Sequence, residues 1–361
     1  MPISETKFAG IGAGGRLKFG VFDHMDNTGA PVGQQYERRL QLIEEYDRSG
    51  FYAYHLAEHH GTPLGFAPSP SVFLAAVAQR TKNLRFGPLV YVVPLYHPLR
   101  LIEEICMLDQ MSGGRFELGV GRGISPIEVG FYGADPANGP RQLAEAVEVI
   151  KKGLTSDILN HKGEFYEFVD VPMVMKAVQR PHPPIWYGVK TPEATVWAAA
   201  NDGNVVTLAP AKMARSITDR YLAEWEKLGK PISGLPLLGV VRHIVLAESD
   251  EEARRSARRA YQPWREHMEL LWKQYGVPFG LGFLPLEFDE WQKIGGAFAG
   301  TAEGARAYIE SQVEASGTNY FVCDISFGDL TLAEASRTVQ FLARDVMPAF
   351  QNGQNGNSGL A

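Results

Sequence analysis

The chain has 361 residues, 45% of them apolar and 21% charged, with a formal net charge of -6. That length suits one large α/β barrel or two ordinary domains, and it buries a sizeable core without staples. The charge balance leaves no global field drawing the chain to nucleic acid, no apolar run reaches membrane-spanning length, and the two cysteines, Cys106 and Cys323, make no disulfide framework.

Both cysteines lie in apolar stretches and read as buried free thiols, which fits a reducing compartment. Met1 to Lys7 has no basic patch followed by an apolar run, so it does not read as a signal peptide. The cytoplasm is the expected location. Residues 1–16 read as a flexible leader. Their run Gly10-Ile11-Gly12-Ala13-Gly14-Gly15 matches G-x-G-x-x-G but lacks the preceding strand and following helix that a dinucleotide loop needs.

Strands and helices then alternate. Leu17 to Phe22 reads as a strand, Gln34 to Ser49 as a helix closed by Gly50, and Phe51 to Ala57 as a second strand. Ser71 to Thr81 is a helix and Leu84 to Val93 a buried strand. Pro98 to Met111 is a helix stopped by Ser112-Gly113-Gly114, Phe116 to Val120 a fourth strand, and Arg141 to Leu154 a helix. His161 to Val171 looks like a hairpin. Pro184 to Val189 is a fifth strand, followed by a helix Glu193 to Asn201 that Thr191-Pro192 opens as N-cap and first-turn proline. Gly203 to Leu208, Leu237 to Ala247 and Tyr320 to Ile325 read as strands six to eight, with helices Lys212 to Leu228 and Leu332 to Val346.

This alternation argues for a parallel sheet, and eight strands argue for a closed (β/α)8 TIM barrel of the α/β class. The expected organisation is one barrel domain over residues 17–350 and a disordered tail over 351–361. Between strands seven and eight, Asp250 to Gly317 starts and ends as helix. The basic run Arg254-Arg255, Arg258-Arg259 sits among acidic residues there and reads as a solvated helix face. The middle, Tyr275 to Gly300, is rich in Gly, Pro and aromatics. Residues 250–300 are therefore read as a lid insertion, with Trp264, Trp272, Tyr275, Phe279, Phe283 and Trp291 as candidates to exclude water. Helical core packing accounts equally for Trp264 and Trp272.

In such barrels the functional site lies at the C-terminal strand ends. Strand one ends at Phe22-Asp23-His24, strand two at Glu58-His59-His60, strand three runs on to His97, strand four ends at Gly119-Val120-Gly121-Arg122-Gly123, and strand five at Lys190-Thr191. The Glu58-His59-His60 triplet has three readings. As a metal site it lacks the H-E-x-x-H spacing and any thiolate, so no metal is expected. It could be a structural network. It could be an acid/base group, since imidazole titrates near neutrality and a neighbouring carboxylate orients it. The glycines around Arg122 let backbone approach a ligand, and arginine forks onto phosphate, although a tight turn with a surface arginine looks the same. Lys190 and Thr191 admit an anion site as well as an ordinary helix start.

Ala57-Glu58-His59-His60, Pro70 to Ala76, Val93-Pro94-Leu95-Tyr96-His97-Pro98-Leu99-Arg100, Leu108 to Phe116 and Gly119 to Gly123 lie in one register. Together they resemble the bacterial-luciferase-like flavin monooxygenases, from about Lys18 to Asp135 and more weakly through Trp197-Ala198-Ala199 and Phe341 to Pro348. The resemblance implies reduced FMN supplied by a separate flavin reductase, dioxygen, a flavin hydroperoxide and a small organic substrate. A homodimer is the expected assembly, with no nucleic acid and no membrane partner. His59 matches the family's catalytic histidine, Glu58 and His60 its flanking residues, and His97 a second active-site histidine. Arg122 matches the phosphate-binding arginine, with Gly121 beside it. Lys190 and Thr191 match phosphate-side positions, and Leu89-Val90 matches a non-prolyl cis peptide against the flavin ring. Two departures stand out: Gly121 occupies the place of the luciferase α subunit's reactive cysteine, and Lys190 that of an acidic residue. Light emission and a long-chain aldehyde substrate are not implied. The alternatives are a deazaflavin-dependent hydride-transfer enzyme of the same superfamily and a flavin-binding protein without turnover.

Overall fold

The computed structural model describes residues 17–351. The expected leader, with its Gly10 to Gly15 run, and residues 352–361 of the expected tail lie outside this range. Gln351, assigned to the tail by sequence, instead ends the helix Met347–Gln351.

The strands are β1 (Lys18–Asp23), β2 (Ala53–Leu56), β3 (Arg85–Pro88), β4 (Tyr91–Val92), β5 (Leu118–Gly121), β6 (Ile158–Lys162), β7 (Glu167–Pro172), β8 (Ile185–Gly188), β9 (Asn204–Thr207), β10 (Leu238–Leu246), β11 (Ala297–Gly300) and β12 (Tyr320–Asp324). β6 and β7 form the expected antiparallel hairpin apart from the main sheet. The main sheet runs β3-β2-β1-β12-β10-β9-β8-β5-β4, all parallel, as a nearly closed barrel with helices between successive strands. The expected third strand, Leu84 to Val93, is divided. Its first half, β3, pairs with β2, and its second half, β4, pairs with β5. The division falls at Leu89-Val90, whose peptide is cis. A parallel bridge from Phe86 to Phe116 ties β3 toward β5 as well. With β3 and β4 as halves of one stave, the barrel has the eight staves that the sequence suggested.

Strands buried on both faces explain the near-continuous apolar runs. The period of two assigns the faces. In β12, Phe321 and Cys323 pack outward in the core beneath the helices, while Tyr320 and Val322 pack inward with Trp186, Val206, Val241 and Leu89. Polar groups low in this interior include His55, whose Nε2 lies 2.8 Å from Tyr320 Oη, and Glu117. Its fully buried carboxylate takes hydrogen bonds from Trp186 Nε1 at 2.5 Å and Tyr52 Oη at 3.2 Å and pairs with Arg85.

The segment between β10 and β12 carries the helix Asp250–Gln274, the short helix Phe288–Lys293, β11 and the helix Ala302–Ser316. Strand β11 falls in the stretch that the sequence reads as irregular. Ala-Phe-Ala-Gly is a weak strand former; what selects it is an available edge. Only Leu238 to Val240 of β10 pair with β9, so the upper half of β10 is open to β11, from His243↔Ala297 to Leu246↔Gly300. This segment also has its own apolar core, built on Tyr261, Trp264, Phe288 and Trp291. In its basic run Arg254 pairs with Asp250, Arg258 with Asp289, and Arg259 with Asp329 and Glu334, on a solvated face. Cys106 and Cys323 are free and buried. Among the described residues no helix is long and apolar enough to cross a membrane.

Candidate active site

The chain leaves β2 at Leu56, and Ala57 N still bonds to Asp23 O at 2.8 Å, so the next three residues emerge at the C-terminal mouth of the barrel. Glu58, His59 and His60 are all buried, and they separate into different tasks. The Glu58 carboxylate accepts from His60 Nε2 at 2.8 Å, from Val92 N at 2.9 Å and from Tyr96 Oη at 3.0 Å, bracing this turn against the third stave. A carboxylate only accepts, so His60 carries its hydrogen on Nε2 and its Nδ1 accepts from Tyr132 Oη at 2.8 Å. Both nitrogens of His60 are thus used internally.

His59 turns instead to Glu128, which the sequence reading did not single out. Its Nδ1 lies 3.2 Å from each Glu128 oxygen, and His60 N donates to Glu128 Oε2 at 2.8 Å. Burial by itself lowers the His59 pKa, but the Glu128 charge and hydrogen bond, helped by Glu58 and Asp26, outweigh it and hold His59 above its ordinary value. For Glu128 burial pushes up, and His59 and the His60 amide overcome it, leaving the carboxyl below its ordinary value. The sequence signal for Glu128 is Ser125-Pro126-Ile127-Glu128, a helix start with capping-box spacing. Ser125 does cap the helix Pro126–Phe131, accepting from Glu128 N at 3.3 Å, but the Glu128 side chain reaches to His59 rather than back to the cap.

Behind His59 lies a second layer at the ends of β1, β10 and β12. The His24 ring stacks on the His59 ring with centroids 5.6 Å apart and planes at 30°. Trp264 Nε1 donates to His24 Nδ1 at 3.4 Å, and Trp291 Nε1 to His243 Nδ1 at 3.1 Å. Asp324 Oδ2 sits 3.8 Å from His24 Nδ1 and 3.5 Å from His243 Nε2, with neither of its oxygens in a side-chain hydrogen bond. Asp23, the other polar residue closing β1, is structural: it accepts from Met25 N and Tyr54 Oη, both at 2.7 Å, and pairs with Arg39 at 3.2 Å.

The insertion covers His59. A small cavity of about 10 Å³ is lined by His59 and Glu128 on the barrel side and by His267, Met268, Leu271, Trp272, Phe279 and Leu281 on the insertion side. His267 Nδ1 meets buried Asp26 at 2.5 Å, which anchors the long helix to the barrel. The aromatic candidates divide. Trp272 and Phe279 face the cavity, Trp264 and Trp291 are core with their indole N–H groups on the histidines, Phe283 stacks on Trp291, and Tyr275 is exposed against Phe131.

The remaining positions expected from sequence surround this mouth or stand apart from it. Leu89 is buried in the barrel interior and Val90 is half-buried beside it. A Cβ on Gly121 would overlap Val90 Cγ2, and one on Gly119 would overlap Pro88 O, so close packing of the third and fourth staves is one demand on these glycines. Arg122 is exposed and makes no hydrogen bond or ion pair among the described residues. Lys190 Nζ donates to Gly280 O at 2.8 Å, tying the insertion to the end of β8. Thr191 is exposed and is not the expected cap. A turn through Thr195 N→Pro192 O at 3.1 Å intervenes, and the helix is Ala194–Ala200 with Glu193 at its N-cap. His97 is exposed at the start of the helix Pro98–Ser112 with its ring 5.6 Å from that of Phe168, apart from the His59 group; its neighbour Tyr96 makes the contact to Glu58.

Small residues beside Val90 and an unpaired guanidinium at the same mouth fit a phosphate-bearing planar cofactor. The His59–Glu128 pair can hold and deliver a proton under an apolar cover.

Residues 17–296 match the model of a family described as luciferase-like monooxygenase. The chain is 42% identical over 332 residues to Uncharacterized protein y4wF of Sinorhizobium fredii, covering 92% of this chain and 97% of that protein. It is 28% identical over 247 residues to the oxygenase component of the flavin-dependent trigonelline monooxygenase of Acinetobacter baylyi, covering 67% and 68%. The crystal structure of monooxygenase RslO1 from Streptomyces bottropensis superposes with a TM-score of 0.82 at 26% identity, covering 92% of this chain and all of that one.

Proposed function

The chain belongs to the luciferase-like monooxygenase family, and from that membership we propose that it is the oxygenase of an FMN-dependent monooxygenase pair, taking reduced FMN from a separate reductase and using dioxygen on a small organic substrate. The observation that carries this reading is the His59–Glu128 pair, a buried acid/base group at the barrel mouth, with Arg122 unpaired among the described residues just past the end of β5. The flavin-dependent Acinetobacter relative, named as an oxygenase component, supports both the cofactor class and a second protein.

Reduced FMN, when bound, supplies the two electrons that activate dioxygen. Arg122, with Lys190 and Thr191, would hold its phosphate, and Leu89-Val90 with Gly121 would line its ring. His59 works from Nε2, the nitrogen that Glu128 leaves unspent. Glu128 keeps a proton on Nδ1 and supports the charged ring, so His59 can give and retake a proton at Nε2. Glu58 and His60 set the turn that aims His59. The insertion acts as a lid, with Trp272 and Phe279 keeping water from the proton site. A homodimer is the expected assembly.

The test is anaerobic titration of the protein with reduced FMN and, separately, with reduced deazaflavin, followed by oxygen. The reading expects reduced FMN to bind and its reaction with oxygen to be altered from that of free FMN. Binding of the deazaflavin alone would replace it with hydride transfer, and binding of neither would remove the cofactor assignment.

A further inference from the structure

An indole N–H donates and never accepts. His24 Nδ1 and His243 Nδ1, each facing an indole, must therefore present lone pairs, and a neutral ring then carries its hydrogen on Nε2. For His243 that hydrogen faces Asp324 Oδ2 at 3.5 Å. For His24 the consequence is sharper, because the nitrogen held by Trp264 is the one 3.8 Å from the Asp324 carboxyl. Without the indole, a proton on His24 Nδ1 would have a carboxylate to face. With it, that nitrogen is taken, and the His24 ring lies stacked on His59.

We propose that Trp264 is a tautomer lock on His24, keeping it neutral against His59 so that His59 alone of the stacked pair carries a proton. Trp264 and His24 are positioning residues. The proposal rests on His59 as the proton site, but its test needs neither flavin nor substrate, so the two can fail separately.

The surrounding charges agree. His24 faces Asp324 from β12, His243 from β10 and His59 from the turn after β2. Burial first, and then His59 and His243, press its pKa well below the ordinary value. His59 faces Glu128, Glu58 and Asp26, with His24 on its ring face and His267 across the cavity. Burial, joined by Asp23 and Asp26 against Arg39, pushes the Asp324 carboxyl well above the ordinary carboxylate range, which favours its protonated form. Replacing Trp264 by Phe keeps a ring and removes the donor. His24 Nδ1 can then take the Asp324 proton: the carboxyl O–H bond breaks, the imidazole N–H bond forms, and no proton is gained or lost overall. The step leaves an imidazolium stacked on His59 and a carboxylate at Asp324 on the other side of His24, and the stacked cation would oppose the His59 charge. Trp264 belongs to the first helix of the insertion, so the segment that covers the cavity also sets the charge beside the proton site.

The experiment is ¹⁵N NMR of the histidine rings in the full chain, with His24 assigned by its loss in His24→Asn and His59 by its loss in His59→Asn. In the unaltered protein His24 is expected as the neutral Nε2–H tautomer from about pH 5 to 8, the range over which free histidine changes charge. An Nδ1–H tautomer or a charged ring overturns the proposal, and this needs no change at Trp264, so a poorly folding variant does not shield it. In Trp264→Phe the His59 midpoint is expected to fall by about 1–2 pH units. In Trp264→Phe/Asp324→Asn, which has no carboxyl proton to pass on, it is expected to return. An unchanged midpoint in the single variant overturns the lock, and a midpoint still low in the double variant overturns the part given to Asp324.

Discussion

His59 Nδ1 lies 3.2 Å from both carboxylate oxygens of Glu128, two residues 69 positions apart that meet because a turn after β2 and a short helix after β5 end at the same mouth. The pair sets the pH behaviour of the site. Glu128→Gln removes the charge that outweighs burial, so the His59 midpoint is expected to drop by about 1–2 pH units, read by NMR titration. The stability consequence has two edges. His59, raised, contributes below its unfolded value near pH 6.5 and loses this as pH rises through its folded value; Glu128, lowered, contributes above its unfolded value near pH 4.3 and loses this as pH falls. Melting temperature in the parent minus the variant should therefore peak between about pH 4.5 and 6.5. A flat difference would mean that the two groups do not share a proton-linked bond.

His59→Ala should leave flavin affinity near that of the parent while lowering product formation by about 10²- to 10⁴-fold, the usual weight of a positioned acid/base group. Single-turnover product yield, once a substrate is in hand, is the measurement. Unchanged turnover would remove His59 from the chemistry and leave the structural reading of the triplet.

Arg122→Ala should weaken FMN by about tenfold or more and riboflavin much less, since only FMN carries the phosphate that a free guanidinium can fork onto. Fluorescence titration with each flavin separates the two. Equal weakening of both would contradict phosphate contact.

Glu117→Ala tests the barrel interior. It strips Trp186 Nε1 and Tyr52 of their acceptor and leaves Arg85 without its carboxylate. A loss of about 3 kcal/mol is expected in urea denaturation, with Arg85's partial access to water keeping the cost toward the lower end for a broken buried pair. A change under about 0.5 kcal/mol would show that water replaces the carboxylate at little cost.

The barrel was legible because parallel strands buried on both faces write long apolar runs, and those runs alternate with amphipathic helices. The break in the third stave was not, because Pro88-Leu89-Val90-Tyr91 is as apolar as the halves it divides. Glu58, His59 and His60 were visible as a polar interruption at a strand end, yet their separate tasks depend on partners from β4, Tyr132 and Glu128 that no local pattern names. Glu128 went unremarked, since Ser125-Pro126-Ile127-Glu128 has only the spacing of an ordinary helix start. His243 and Asp324 lay inside apolar strands, where only the inward face of a closed barrel turns them toward His24. Thr191-Pro192 followed the usual rule for a helix opening, and a turn intervened.

Gly121 and Val90 occupy one volume between them. In the luciferase α subunit a cysteine stands where this chain has Gly121. A thiol introduced here would strike the Val90 methyl before reaching any ligand. Exchange between the two states therefore involves both positions: changing 121 first overfills the space at Val90, and shrinking Val90 first leaves it hollow. The two positions are expected to vary as a couple among descendants of this barrel, and a single-site library at 121 would set each larger residue against the Val90 methyl.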